Sequence, residues 1–263
     1  RRPPWCRHHA SEPGAVSGDS PVRAFAAQTR TELTLSLRNG EQLLVSIVIP
    51  LLLLVFFSLV AVLPLPAGVD DGVDFLAPGV LALAVMSSAM VSVGIGTGFE
   101  RQYKVLKRLG ATPLGRPRWV AAKIAMVLAL LALQVVVLVI AAVALGWSPG
   151  GTPALAPVAL LLGTAAFAGL GLLMAGTMRG TATLALANGL YLVLLLLGGM
   201  IIPFDEMPSG LATIGKLTPA GALATVLQSC LRDGAPAAGG AWVVLAVWAA
   251  TAPMAAARLF RWE

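Results

Sequence analysis

The chain has 263 residues, of which 58% are hydrophobic and 11% are charged, and its mean hydropathy is +0.87. A soluble domain carries about 25% charged residues, and a disordered chain combines low hydrophobicity with high charge. The composition therefore excludes both classes and predicts an integral membrane protein. The net charge is +6, and the positions of the charges along the chain are more informative than their sum.

The region before the first apolar stretch divides into two segments. Residues 1–21 are rich in Arg, Pro, Gly and Ser, which is typical of a disordered tail. In residues 22–40 the apolar side chains recur at helical spacing, and Asn39 and Gly40 form a helix stop signal. This pattern predicts an amphipathic helix at the membrane surface, which is either a simple anchor or a lever linked to a cytoplasmic partner.

Long stretches without a charged residue mark the membrane spans of the remaining domain, 41–263. They are 42–69, 75–99, 124–178, 180–204 and 234–257. A span needs about 20 apolar residues, so four of the stretches hold one span each. The stretch 124–178 is interrupted by the turn-forming residues 146–153 and holds two. The predicted fold is all-α with six transmembrane helices, at about 42–65, 75–97, 120–146, 154–178, 181–203 and 240–257.

The distribution of charge predicts the orientation of these spans. Six spans place both termini on one side of the membrane. If that side is the cytoplasm, it holds sixteen of the eighteen Lys and Arg residues and six of the twelve acidic residues. The cytoplasmic side then carries a net charge of +10 and the outer side −4, in agreement with the positive-inside rule. We therefore expect a multi-pass protein of the bacterial inner membrane with both termini, including the tail 1–21, in the cytoplasm.

The loop between the second and third spans, 98–118, predicts a short basic helix over 98–110. Apolar side chains occupy one face and basic side chains the other, and Glu100 and Lys104 have the spacing of a favourable ion pair. Lys123, at the edge of the third span, is expected to extend its ammonium to the membrane surface. The basic face either follows from topology and contacts anionic lipid or docks a cytoplasmic partner.

Few strongly polar side chains lie at membrane depth. Gln134, Asn188 and Tyr191 either form interhelical hydrogen bonds or line a substrate path. The outer segment 204–239 is apolar but too broken by Gly and Pro to span the membrane, and it predicts one or two short interfacial or re-entrant helices. The fourth span has a composition that favours close helix packing, with Gly163, Gly169, Gly171 and Gly176.

Missing motifs exclude several classes of activity. The sequence has no GxxxxGK[ST] phosphate loop, no HExxH motif and no histidine in a span. The chain therefore cannot hydrolyse ATP by itself, and a Ser-His membrane protease, a membrane metalloenzyme and a proton antiporter are not expected. We expect no catalytic residue, no metal and no cofactor on this chain. If it moves a solute against a gradient, another subunit must supply the energy; a passive role is also compatible.

Two segments carry a resemblance to a known family. Residues 29–44 read TRTELTLSLRNGEQLL, and residues 99–116 read FERQYKVLKRLGATPLGR. Both resemble the ABC-2 type permeases, the membrane subunits of bacterial ABC exporters, above all those associated with daunorubicin resistance. The likeness extends over about 22–263. The second segment is similar to the family pattern E-R-x-x-x-x-L-K-R-L-x-x-T-P-L at Glu100, Arg101, Leu106, Lys107, Arg108, Leu109, Thr112, Pro113 and Leu114.

The resemblance implies partners and roles that the residues alone do not. A separate cytoplasmic ABC ATPase would bind ATP and Mg and would contact the surface helix at Arg30, Glu32 and Arg38. It would also contact the loop helix, then a coupling helix, at Glu100, Arg101, Tyr103, Lys104, Leu106, Lys107 and Arg108. Two permease copies would form the working unit, and the outer helices would cap the path. The expected substrate is a hydrophobic or amphipathic drug, antibiotic or lipid, and no nucleic acid partner is expected.

Two other classes of function remain open from the sequence. One is a passive channel or a structural assembly protein without an ATPase, and the other is a membrane enzyme with an unrecognised site. The basic loop favours the exporter, whereas the lack of titratable groups in the spans disfavours the enzyme.

Overall fold

The structure is a computed structural model, and it describes the backbone of residues 30, 34, 40–60, 71–105 and 115–260. Side chains are described at residues 30, 34, 47–60, 71–105 and 121–260. The predicted tail 1–21, Glu32, Arg38, Leu106, Lys107 and Arg108 lie outside these residues. Within the described ranges the chain is helical, with connecting turns and no strand.

Eight helices have their bounds in this part of the chain. They are α1 Gly40–Leu59, α2 Gly72–Gln102, α3 Gly115–Ala144, α4 Ala156–Thr177, α5 Gly180–Leu197, α6 Ser209–Leu217, α7 Pro219–Leu231 and α8 Gly239–Leu259. Short 3₁₀ turns at Pro153–Leu155 and Phe204–Glu206 precede α4 and α6.

Five of these helices are long and apolar enough to cross a membrane, namely α2, α3, α4 with its preceding turn, α5 and α8. The described apolar part of α1, Ile47–Leu59, is shorter. Helices α6 and α7 meet at a bend of 87° and make a sixth candidate if the bent pair is one span. The all-helical prediction is confirmed, and the described residues support five to six spans.

The ends of three helices differ from the predicted span boundaries. The first helix ends at Leu59 rather than near 65. The second extends from 72 to 102 instead of 75–97, because its terminal charges remain within the helix. The fifth ends at Leu197 rather than at 203, since the chain turns at Gly199, where φ is +66°.

Helix α2 is the central element. Its 31 residues correspond to a length of about 45 Å, which exceeds the ~30 Å of the hydrocarbon layer. The first half, Gly72–Met86, packs against α1, α3, α4 and α7, and the last part, Val93–Gln102, packs against α4 and α5. A π-helical segment, Ser87–Ser92, separates the two parts. Of these packing neighbours the two parts share α4, whereas α1 and α7 contact the first half and α5 the last part.

Glycines of α4 permit its close approach to α2 and α8, as the sequence predicted. A Cβ atom on Gly169 would lie 2.5 Å from the backbone nitrogen of Pro253 in α8, and one on Gly171 would lie 2.7 Å from the carbonyl oxygen of Met90. Because the neighbouring atoms belong to backbone, neither position has room for a side chain. Small residues let helices pack closely within a membrane, and this role is confirmed for both glycines.

The bent pair is held at the end of the molecule where α2 begins. The amide of Gly150 donates to Leu231 O at 3.1 Å, and that of Gly151 donates to Asp233 Oδ1 at 2.7 Å. Gln228 Nε2 donates to Phe75 O at 2.7 Å. These bonds tie the end of α7 to the α3–α4 loop and to α2.

The two arms of the bent pair differ in burial. Leu223 and Leu227 of α7 are fully buried, whereas Leu211 and Ile214 of α6 are 46% and 56% exposed. Of the two predicted alternatives, interfacial or re-entrant helices, the burial of α7 in the core of the described structure and the 87° bend between α6 and α7 favour a re-entrant pair. The apolar residues of α7 pack against protein because α2, α4 and α8 surround it.

Candidate functional site

The candidate site lies where α2 ends, at the motif that the sequence singled out. The predicted helix 98–110 is interrupted, because residues 98–102 complete α2 and the chain turns at Tyr103 and Lys104, while residues 106–110 lie outside the described part of the chain. The φ angle of Lys104 is +59°, a left-handed backbone conformation that interrupts a helix. Val105 is helical again. The segment after residue 102 is therefore attached to α2 by a sharp turn.

Glu100 forms an ion pair across the α2–α3 interface. The ammonium of Lys123 donates to Glu100 Oε1, and the two side chains are 6% and 26% exposed. The predicted pairing of Glu100 with Lys104 is thus wrong. A buried ammonium requires a compensating charge, and Glu100 supplies it. The pair connects the end of α2 to the beginning of α3.

Arg101 connects the same end of α2 to α4. Its Nη1 atom donates to Ala175 O at 2.8 Å and to Met178 O at 3.2 Å. Both carbonyls lie at the C-terminal end of α4, where helical carbonyls lack amide partners and the helix dipole attracts a cation. The guanidinium therefore caps α4 from a neighbouring helix.

The turn between α4 and α5 packs directly on the last turn of α2. A Cβ atom on Gly98 would lie 3.2 Å from Thr183 Cβ, and one on Gly180 would overlap Gln102 Oε1. Thr183 is fully buried. We refer to residues 98–102, Lys123 and residues 175–183 together as the charged junction. Four helices meet there, and polar groups fasten three of them to one another.

The next residues of the motif face away from the junction. Tyr103 is 67% exposed and stacks on Phe99, with ring centroids 6.1 Å apart and an angle of 18° between the rings. Lys104 is exposed, as is Arg30 of the predicted surface helix. The structure thus divides the predicted contact residues that it describes. Glu100 and Arg101 contact this protein's own helices, whereas Tyr103, Lys104 and Arg30 present exposed side chains.

The sequence did not predict the partners of Glu100 and Arg101. A lysine flanked by apolar residues at the start of a span requires a counter-charge, and that requirement was the available signal for Lys123. The pairing of Arg101 with main-chain carbonyls 74 and 77 residues away leaves no trace in side-chain spacing, because any residue carries a carbonyl group.

The three polar side chains at membrane depth have separate surroundings. Gln134 is 3% exposed and accepts a hydrogen bond from Ser88 Oγ in the π segment of α2. Asn188 is exposed and donates to Leu184 O of its own helix at 3.0 Å. Tyr191 is half-buried and packs against the apolar core. Gln134 thus joins α3 to α2, and the hydrogen bond of Asn188 is satisfied within α5.

Comparisons with known proteins agree with the layout of the chain. A family model described as "ABC-2 type transporter" matches residues 23–230. A protein of Bacillus subtilis (strain 168) named "Putative transport permease YvfS" is 28% identical over 224 residues, which cover 82% of this chain and 88% of that protein. The region 23–230 includes the charged junction and all of the bent pair except Leu231.

Proposed function

The chain belongs to the ABC-2 type transporter family and is a membrane subunit of a transporter, and from this premise we propose that it is the permease of an ATP-driven exporter. A separate ABC ATPase binds ATP and Mg and supplies the energy. Two permease copies form the path for a drug-like, antibiotic or lipid-type substrate. Both termini lie in the cytoplasm, and the chain is located in the bacterial inner membrane.

The observation that carries this proposal is the charged junction with the exposed turn attached to it. Tyr103 and Lys104 are exposed and directly follow a helix end that is ion-paired to α3 and hydrogen-bonded to α4. A protein that binds the exposed turn and then moves would displace α2 together with α3 and α4, to which α2 is bonded. An ATPase that closes on ATP is a partner of this kind, and the chain has no phosphate loop of its own.

The chemistry of the spans supports an apolar or amphipathic substrate. The five candidate spans are predominantly apolar, so a path between two copies would offer few groups to compensate a buried charge. Asn188 and the exposed side chains of α5 are available to line such a path. The exposed helix α6 lies at the opposite end from the charged junction, where it caps the path.

Co-purification with an ABC ATPase encoded by a neighbouring gene tests the proposal. We expect the wild-type permease to retain the ATPase in detergent. The double variant Tyr103→Ala/Lys104→Glu should retain at least about tenfold less, since each 1.4 kcal/mol of lost contact energy costs a factor of ten in affinity. The matched control is Lys216→Glu, which reverses an exposed charge on α6 and should leave the ATPase bound.

Two results would contradict the proposal in different ways. If the wild type never retains an ATPase, the exporter hypothesis is wrong and a passive channel or assembly role replaces it. If the wild type and both variants retain equal amounts, the ATPase is bound elsewhere and the exposed turn is not its contact.

A further inference from the structure

The charged junction contains two kinds of contact that join α2 to the α4–α5 turn. The first is the guanidinium of Arg101, whose Nη1 bonds to the carbonyls of Ala175 and Met178 at 2.8 and 3.2 Å. These carbonyls lie on either side of the last residue of α4, Thr177. One side chain of α2 therefore holds the point at which α4 ends and the turn begins.

The second kind of contact is the packing of a side chain directly against a glycine of the other element. Gly98 lies against Thr183, and Gly180 lies against Gln102. Thr183 is itself linked to α4, because its Oγ1 donates to Met174 O at 3.4 Å and its amide donates to Arg179 O at 2.8 Å. Helices α4 and α5 are thus closely connected to each other as well as to α2.

We propose that Arg101 is a positioning residue that makes the end of α2 and the α4–α5 turn move as one body. When the exposed turn at 103–104 is displaced, α4 and α5 then move with it. The contact between the end of α2 and the α4–α5 turn does not deform. This inference rests on the proposed function, since it assigns the route by which a bound ATPase moves the spans. It differs from a docking role, because Arg101 contacts this chain rather than the partner.

Removing the guanidinium tests the proposal. Arg101→Ala should still bind the ATPase and hydrolyse ATP, but transport per ATP hydrolysed should fall by at least about fivefold, within the usual range of coupling between sites. Arg101→Lys should recover part of the loss. The matched control is Arg258→Ala, which removes an exposed arginine from the last turn of α8, outside the charged junction, and should transport like the wild type.

A reversible crosslink provides the second test. A Cβ atom on Gly98 would lie 3.2 Å from Thr183 Cβ, close to the ~3.8 Å of a disulfide, so Gly98→Cys/Thr183→Cys should crosslink on oxidation. Cys6 and Cys230 are replaced by serine in this background. The crosslink should leave transport intact in the otherwise wild-type chain. In the Arg101→Ala chain it should restore transport per ATP, and reduction should abolish the recovery.

Each contrary result has a separate meaning. If Arg101→Ala loses the ATPase, Arg101 is a docking residue and the inference is wrong. If the variant transports normally per ATP, or if the crosslink stops transport in the wild-type background, the two elements do not move as one body. If the wild type itself never binds an ATPase, the proposed function is wrong and this inference fails with it.

Discussion

Lys123 is 23 residues from Glu100 along the chain, and only 5% of the surface of this residue is exposed. Removing one member of a buried ion pair leaves the other charge in an apolar environment, which costs about 3–5 kcal/mol in a fully buried pair. Glu100 keeps 26% of its side chain exposed, so the cost at this site should be lower. The pair thus holds α2 to α3 mainly because neither charge can be left alone.

This reasoning predicts the behaviour of single and double variants at residues 100 and 123. Lys123→Met should destabilise the protein by about 2 kcal/mol, whereas Glu100→Gln/Lys123→Met should recover most of that loss, because neither charge remains. Lys216→Met, at an exposed position, should change stability by about 0.5 kcal/mol or less. Thermal unfolding in one detergent measures all three. A double variant as unstable as the single one would show that burial of the charge is not the cause.

At the scale of a helix, the same glycine substitution should have opposite effects at two positions. Gly169→Ala places a Cβ 2.5 Å from the backbone of Pro253, whereas Gly189→Ala meets nothing within 4 Å. The first should lower the unfolding temperature, because two helix backbones must separate. The second should leave it unchanged or raise it, since alanine favours a helix over glycine by about 1 kcal/mol. Equal effects at both positions would contradict the packing of α4 on α8.

The sequence predicted which segments form helices better than it predicted where each helix ends. Apolar stretches of the right length locate the five spanning helices, because burying about 20 apolar residues in lipid outweighs local preferences. The helix ends differ from the predicted span ends where the sequence rules use charge as a boundary. Glu100 and Arg101 lie within α2 because each has a compensating partner on another helix. Local spacing along the sequence contains no information about those partners.

At the scale of the molecule, the orientation remains a prediction from the charge asymmetry. It is tested with single cysteines at two exposed positions, Tyr103→Cys and Ser148→Cys, in a chain whose Cys6 and Cys230 are replaced. An impermeant maleimide should label residue 148 in intact cells and residue 103 only after lysis, because the basic loop stays in the cytoplasm. The reverse pattern would place the charged junction outside and exclude contact with a cytoplasmic ATPase.

For a related reason, the sequence predicted the location of the candidate site but not the contacts of its side chains. The motif around Glu100 singled out the segment in which the structure places Glu100 and Arg101, at the meeting point of four helices. Which side chains face a partner and which face the protein itself depends on how α2 packs. A helical pattern drawn from residues 98–110 alone could not reveal that, because it treated the end of a long helix as a separate short one.

The π segment at Ser87–Ser92 also has a consequence for how this gene can change in length. A π turn accommodates one residue more than an α-helical turn, and each residue of an α-helix rotates the chain by about 100°. Loss of one codon within this segment would convert it to α-helix and leave Arg101 directed at α4. Loss of one codon between 93 and 98 would turn Arg101 away by about 100°. Natural insertions and deletions in α2 are therefore expected to concentrate at 87–92.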